Sequence, residues 1–306
     1  LRRRQRQMCI RDRELELMWK DRLNNGLNYS ARFTLADSRT KITRYSNPSG
    51  LIDGFYAGKY VGEIWGYETI GIAQSDQEMA EHIGRLINGG QSNLGQDWKA
   101  GDIMYKDLNE DGKIDAGSRT LQDHGDLKRI GNSTPRYNVG LELAADWKGF
   151  DIRMFWQGTL KRDYFQGSYY FWGANGRQGP WFSTALKGHD DYFRNDEASP
   201  LGTNLNSYYP RPLFNTDKNQ QSQTKYLQDA SYLRLKNLQI GYSLPHNIVQ
   251  KMGMQHLRIF ASGENLFTIT SLIDFFDPES IEGGSWGHGN VYPLSRTFSF
   301  GLNVTF

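Results

Sequence analysis

The sequence predicts an antiparallel all-β fold built on seven long strands, and three observations carry that prediction. Apolar and polar residues alternate with period two over long stretches, the pattern of a strand with two unlike faces. Short and very long connections alternate along the chain. The composition favours strands and turns: 13% of the 306 residues are aromatic and 33 are glycine. A formal net charge of +2 excludes a generally polybasic nucleic-acid binder, so no nucleic-acid partner is expected. No run of about 18 apolar residues occurs, which excludes a transmembrane helix.

Taken in order, the first thirteen residues differ from the rest. LRRRQRQMCIRDR holds six Arg and one Asp and contains the only cysteine, Cys9, whereas residues 14–306 hold 30 basic and 33 acidic side chains. Residues 1–13 are therefore expected to be a non-native or disordered segment outside the fold. The cysteine-free body is expected to have no disulfide or thiol chemistry. Leu15, Leu17 and Trp19 alternate with Glu16, Met18 and Lys20 to give a first strand. Asn24-Asn25-Gly26 is a hairpin signal. Leu27, Tyr29, Ala31, Phe33 and Leu35 form the apolar face of the returning strand. From Arg136, the residues Tyr137, Val139, Leu141, Leu143, Ala145 and Trp147 define the next apolar face. Lys148-Gly149 turns the chain, and Phe150, Ile152, Met154 and Trp156 resume the pattern. Residues 225–242 read as a strand with a phase slip at Lys236-Asn237, the mark of a β-bulge. Leu257, Ile259, Ala261, Phe267 and Ile269 mark the sixth strand, and Phe298, Phe300, Leu302, Val304 and Phe306 the seventh.

These runs exceed the roughly 5–6 residues usual in soluble sandwiches and reach the ~9–11 that a strand needs to cross a bilayer. Connections 23–26, 147–149 and 243–255 are short, 38–133 and 162–224 are long, and 271–293 is intermediate. Short turns at one end and long loops at the other are the pattern of an outer-membrane β-barrel. The C-terminus is then periplasmic and the long loops are extracellular. Seven is odd, whereas bacterial barrels close with an even number, so the chain is expected to be part of a larger barrel. Phase alone places Arg136, Asn138, Glu142, Asp151, Arg153 and Glu264 facing the lumen. The alternative is a secreted β-rich carbohydrate-binding or adhesin protein.

Several loop motifs bear on chemistry. Asp107, Asn109, Asp111, Lys113 and Asp115 take alternating positions of a calcium loop, with Gly112 at its sharp turn. Lys113 would offer only its backbone carbonyl. The closing position, usually a bidentate carboxylate, is Ser118. Any bound Ca²⁺ is therefore expected to be weakly held, and no cofactor is required. Gly283, Ser285 and Gly287 spell G-x-S-x-G, but His288 to Pro293 cannot begin the helix that a nucleophile elbow needs. The six histidines are scattered without zinc-ligand spacing, so no enzyme is expected. Ser75 with Glu78 forms a capping-box pattern ahead of a short amphipathic helix through Met79, Ile83, Leu86 and Ile87. Tyr169, Tyr170, Trp172 and Trp181 belong to an aromatic loop. It reads as an outer aromatic girdle with packing among loops, or as a partner contact, ahead of direct ligand binding.

GDIMYKDLNEDGKIDAGSRT, STPRYNVGLELAADWKGFDIRMFWQG, SYLRLKNLQIGYSLP, LRIFASGENLFTIT and YPLSRTFSFGLNVTF follow one another through most of residues 14–306. Together they resemble the C-terminal half of SusC-like TonB-dependent transporters, nutrient importers of the Bacteroidetes outer membrane. The resemblance implies a barrel of about 22 strands, of which this chain would hold the last seven, with the plug domain absent. It also implies a SusD-like surface lipoprotein as partner, coupling to the TonB complex through an N-terminal part, and an oligosaccharide or peptide ligand. On separate grounds, Ser299, Gly301, Val304 and Phe306 match the polar-x-Gly-x-x-apolar-x-aromatic signal that the barrel assembly machinery reads.

Overall fold

The computed structural model describes residues 7–174, 181, 183, 185–281 and 294–306. Its largest element is a seven-stranded antiparallel sheet. The strands are β1 (Gln7–Arg22), β2 (Asn28–Arg44), β7 (Arg136–Trp147), β8 (Phe150–Lys161), β11 (Tyr232–Ser243), β12 (His256–Thr270) and β13 (Thr297–Thr305). They neighbour one another in that order, so the sheet is an up-and-down meander. Its shortest connection joins β7 to β8 through Lys148 (φ 48°) and Gly149 (φ 87°). Two successive left-handed residues give the primed turn that matches strand twist. Among the described residues no helix is long and apolar enough to cross a membrane.

Register decides what each face carries. One rung runs Trp19, Ala31, Leu143, Met154, Leu238, Gly263 and Phe298 across all seven strands. Two residues nearer the short turns, another runs Tyr29, Ala145, Ile152, Ile240, Ala261 and Phe300. On the other side of the first lies Leu17, Phe33, Leu141, Trp156, Leu235 and Phe267. Side chains alternate across a strand, so these rungs share one face. The phase slip at Lys236 is a true bulge: pairing to both neighbours shifts between Leu235 and Asn237. Three positions apart in a regular strand, Leu235 and Leu238 would point to opposite faces; the bulge absorbs one position, so both join the apolar side.

Among the described residues nothing covers that face. Phe300 is 84% exposed, Phe298 68% and Leu17 57%. The 12 residues of β7 extend ~40 Å at about 3.4 Å each, or roughly 30 Å when tilted by ~40° as barrel strands are. That equals the thickness of bilayer hydrocarbon. Toward the turn end, Trp147 pairs across from Phe150, and Phe150 from Tyr242 with ring centroids 4.5 Å apart. Trp19 donates to the Tyr29 hydroxyl at 3.4 Å. Here lies an aromatic belt of the kind found at a membrane interface.

The hydrophobic core sits in the long loops, away from the sheet. These loops contain β3 (Glu63–Gly66) paired with β6 (Lys128–Asn132), β4 (Thr69–Ile72) with β5 (Ile103–Tyr105), and β9 (Asp163–Tyr164) with β10 (Gln228–Asp229). Their helices are α1 (Asp76–Arg85) and α2 (Tyr169–Trp172). The N-cap Ser75 accepts a hydrogen bond from the Glu78 amide at 3.1 Å. Met79 of α1 buries against Ala73 and Met104. Tyr105, Tyr226, Phe171, Ile103 and Ile114 are fully enclosed in the main cluster, which all three long connections build together.

Three expectations change. Residues 7–13, read as outside the fold, are the outer part of β1, with Met8 to Arg13 opposite Ile42 to Asp37. A ladder is held by backbone hydrogen bonds, so beyond the hydrocarbon layer it needs no apolar alternation. The strand expected from residue 225 begins at Tyr232, because Gln228–Asp229 pairs instead with β9. The connection 243–255 holds a short helix, α3 (His246–Lys251), with Val249 buried.

Candidate functional site

The face opposite the apolar rungs is polar. One of its rungs runs Lys20, Ser30, Ala144, Arg153, Gln239, Ser262 and Ser299. The next runs Met18, Arg32, Glu142, Phe155, Asn237, Glu264 and Thr297. Register therefore brings Glu142 and Glu264 onto one rung, and Arg153 and Ser299 onto its neighbour. Arg32 reaches both flanking strands, with Glu16 at 2.9 Å and Glu142 at 3.8 Å. Asp151 accepts two hydrogen bonds from Arg258, at 2.8 and 2.5 Å, across the intervening strand. Gly241 stands beneath that pair, where a Cβ would meet both side chains. Asn138 accepts from the Thr159 hydroxyl at 2.9 Å, and Arg136 forms a bidentate pair with Asp37. Arg153 and Glu264 are exposed and have no ion-pair partner among the described residues.

Gly301 has a local reason to be glycine: the Phe260 ring of β12 lies over it, in the space that a Cβ would take. An aromatic folded over a glycine of the neighbouring strand fixes register. Val304 pairs with Leu257 on the apolar side, Ser299 with Ser262 on the polar side, and Phe306 follows the end of β13, 82% exposed.

The calcium-like loop is tied by its own backbone. Asp107 accepts from the amides of Glu110 (2.7 Å) and Gly112 (2.8 Å), Asp111 from Lys113 (3.1 Å), and Asp115 from Gly117 (2.8 Å). Gly112, at φ 79°, makes the turn. The Lys113 ammonium lies 2.7 Å from Asp115 and 3.7 Å from Asp111. It thus places a positive charge among the oxygens that would converge on a cation. Ser118 donates to Asp123 at 2.5 Å. Among the described residues no three His, Cys, Asp or Glu are grouped closely enough to hold a metal ion. Asp126, which the spacing did not mark, is fully buried and accepts from the amides of Leu108 (2.7 Å) and Asp115 (2.8 Å). Burial pushes its carboxyl above the ordinary range.

The aromatic loop belongs mainly to the loop core. Trp172 is buried against Tyr226, with centroids 4.7 Å apart, and Tyr170 packs on the same cluster. Trp181 is 86% exposed. The side chain of Tyr169 and the G-x-S-x-G stretch lie outside the described residues. Sequence reasoning missed the keystone of this region, Asp102. It is fully buried and accepts from Arg211 (2.8 Å, twice), Asn219 (2.8 Å) and the Lys99 amide (2.9 Å), with the Lys218 ammonium at 2.9 Å. Its side-chain partners lie over a hundred positions away in sequence, beyond the reach of any local signal.

An antiparallel meander with one lipid-type face, one polar face and long structured loops is the pattern of an outer-membrane β-barrel wall. The chain belongs to the TonB-dependent receptors, and its likeness is SusC-like. It is 30% identical over 258 residues to "TonB-dependent receptor P3" of Formosa agariphila, a match covering 81% of this chain and 22% of that protein. It is 26% identical over 225 residues to "TonB-dependent receptor P26" of the same organism, covering 67% of this chain and 20% of that one. The structure of the RagAB peptide transporter superposes with TM-score 0.67 at 21% identity, over 98% of this chain and 29% of that chain. The 'open-open' state of the RagAB peptide importer gives 0.62 at 20% identity, again over 98% and 29%. This chain therefore spans about a fifth to a third of the proteins it matches. No family model matches it.

Proposed function

We propose that residues 14–306 form the C-terminal wall of a barrel of about 22 strands that imports glycans or other oligomeric nutrients across the outer membrane. The observation that carries this reading is the run of apolar rungs, in register over seven strands and uncovered. Set in lipid, that face is solvated by hydrocarbon, and the polar rungs with Arg153, Glu142 and Glu264 line a wet lumen. The long loops, held by their own core, stand outside the cell, and the C-terminus lies in the periplasm. A SusD-like surface lipoprotein captures the ligand above them, and the TonB complex acts through a part of the receptor outside this chain. Peptides are a ligand class to be tested beside glycans, since the RagAB neighbours are described as a peptide transporter and importer. This wall performs no covalent chemistry; it binds and passes a solute. The calcium-like loop serves as a structural turn with weak Ca²⁺ affinity.

The test is uptake. Cells lacking the full-length receptor should lose growth on one class of oligomer and regain it on complementation, with no rescue when TonB is inactivated. Growth on every oligomer without the receptor would contradict the import reading.

A further inference from the structure

A second feature of the wall lies where β2, β7 and β8 end at the loop side. A cavity of about 420 Å³ opens there. Four basic side chains line it, Arg39, Arg129, Arg136 and Lys161, against two acidic ones, Glu63 and Asp163. The topology brings them together: Arg39 stands on β2 just beyond Ala36, its last residue paired with β7, and Arg136 and Lys161 are cross-strand partners at the ends of β7 and β8.

The acidic pair is already engaged. Glu63 accepts from the Tyr60 amide at 2.9 Å and the Tyr56 hydroxyl at 2.6 Å, and stands 3.6 Å from Arg129. Asp163 accepts from the Asn132 amide at 2.8 Å. Arg136 is neutralised by Asp37. Two cations remain open. Arg39 rests 4.1 Å above the Tyr60 ring, which orients its guanidinium without neutralising it. Both Arg39 and Lys161 are exposed, with no carboxylate partner among the described residues. Unneutralised cations in a concave, protein-walled basin focus positive potential and attract anions. A guanidinium also matches a carboxylate in a two-pronged fashion. The volume falls at the lower end of the ~300–1,000 Å³ of small-molecule sites, room for one residue of an oligomer.

We propose that this basin, with Arg39 and Lys161 as its open cations, binds a carboxylate carried by the imported oligomer. The receptor then prefers acidic ligands, uronate-bearing glycans or acidic peptides. The proposal deepens the import reading and rests on it only for the ligand being an oligomer. Equilibrium binding to the full-length receptor in detergent needs no energised uptake, so the two readings fail separately. The probes are trigalacturonate against its methyl ester, triglutamate against triglutamine, and glycerol phosphate as a stand-in for a lipid headgroup.

At low salt, at least one acidic probe should bind about tenfold or more tighter than its neutral twin, with the gap shrinking as salt rises. Which pair shows the gap separates glycan from peptide. Arg39→Gln with Lys161→Gln should lose about tenfold for the acidic probe and leave the neutral one unchanged. Both residues are exposed, so folding is retained, to be confirmed by heat-modifiable gel mobility. Lys251→Gln, exposed on α3, should have no effect. Equal binding within both pairs, no acidic binding at all, or an acidic preference that survives in the double variant each overturn the proposal. So does charge-dependent binding confined to glycerol phosphate.

Discussion

Replacing Asp102 by Asn should open the loops without touching the wall. The carboxylate is fully buried, accepts four hydrogen bonds and contacts a fifth donor, the ammonium of Lys218. That ammonium is itself enclosed, hydrogen-bonded to the carbonyls of Gln96 and Asp97 and lying 4.6 Å above the Trp98 ring. Asparagine keeps the shape and removes the charge, leaving the Lys218 and Arg211 charges uncompensated. Breaking a buried pair from one side costs about 3–5 kcal/mol. Arg211 is partly exposed and Lys218 retains its carbonyls, so the lower end applies, about 3 kcal/mol. At 1.4 kcal/mol per decade this is about a hundredfold in the opening equilibrium of the loop region. Limited proteolysis of the receptor in membranes should speed up by that factor for cuts in the loops 38–133 and 162–224. Heat-modifiable mobility of the barrel should not change, because the sheet shares no core with this network. Equal cleavage rates, or parallel loss of the barrel, would refute the reasoning.

The same carboxyl sets a pH dependence. Burial alone would raise its pKa, but hydrogen bonds from Arg211, Asn219, Lys218 and the Lys99 amide outweigh that and hold it below the usual carboxylate value. A depressed folded pKa contributes stability that is complete above the unfolded value, about 3.9, and is lost as pH falls through the folded one. The contribution of Asp102 to loop resistance should therefore be complete at about pH 5 and above and be lost only below about pH 4.

Three further outcomes are expected. Deleting Phe306 in the full-length receptor should lower its amount in the outer membrane, measured by surface labelling; unchanged levels would count against the assembly role. Calorimetry should find Ca²⁺ binding no tighter than about 10⁻⁴–10⁻³ M, strengthened by Lys113→Gln, whereas sub-micromolar binding lost in Asp107→Ala would show the ammonium to be no obstacle. Residues 14–306 alone should give no monomer by size exclusion without detergent. The apolar face far exceeds the few hundred Å² a soluble monomer tolerates, so a sharp, cooperatively unfolding monomer would favour the secreted β-protein.

The wall was legible because its physics is local. A bilayer on one side and a polar surface on the other write a period of two into each strand, as from Val139 to Ala145 or from Phe298 to Val304. Even the bulge announced itself at Lys236. Strand ends were less legible, since outside the hydrocarbon layer the ladder constrains only the backbone; hence the Arg-rich start of β1 looked foreign. The loop core was the least legible. Tyr105 packs on Tyr67 and lies near Trp98, yet its hydroxyl donates to the Lys218 carbonyl at 2.7 Å, a contact that no periodicity encodes. The aromatics around Trp172 read as a girdle with packing among loops, or as a partner contact, because composition shows what they are and not what they touch; Trp172 and Tyr170 do pack among the loops, while the belt formed by Trp147, Phe150 and Tyr242 lies at the turn end. The Asp107 motif showed its ligand types, but not the reach of Lys113 back into them.

The central claim is that one face of this sheet meets lipid and the other meets water. Spin labels on single cysteines, with Cys9 and any other native cysteine of the receptor replaced by Ser, placed at Ser299 and Phe300 of β13 and at Gln239 and Ile240 of β11, test it directly in the reconstituted full-length receptor. Collision with dissolved oxygen reports hydrocarbon, and collision with a water-soluble nickel chelate reports the aqueous side. Positions 300 and 240 should be oxygen-accessible and shielded from nickel, and positions 299 and 239 the reverse. Equal nickel access at all four would contradict the account.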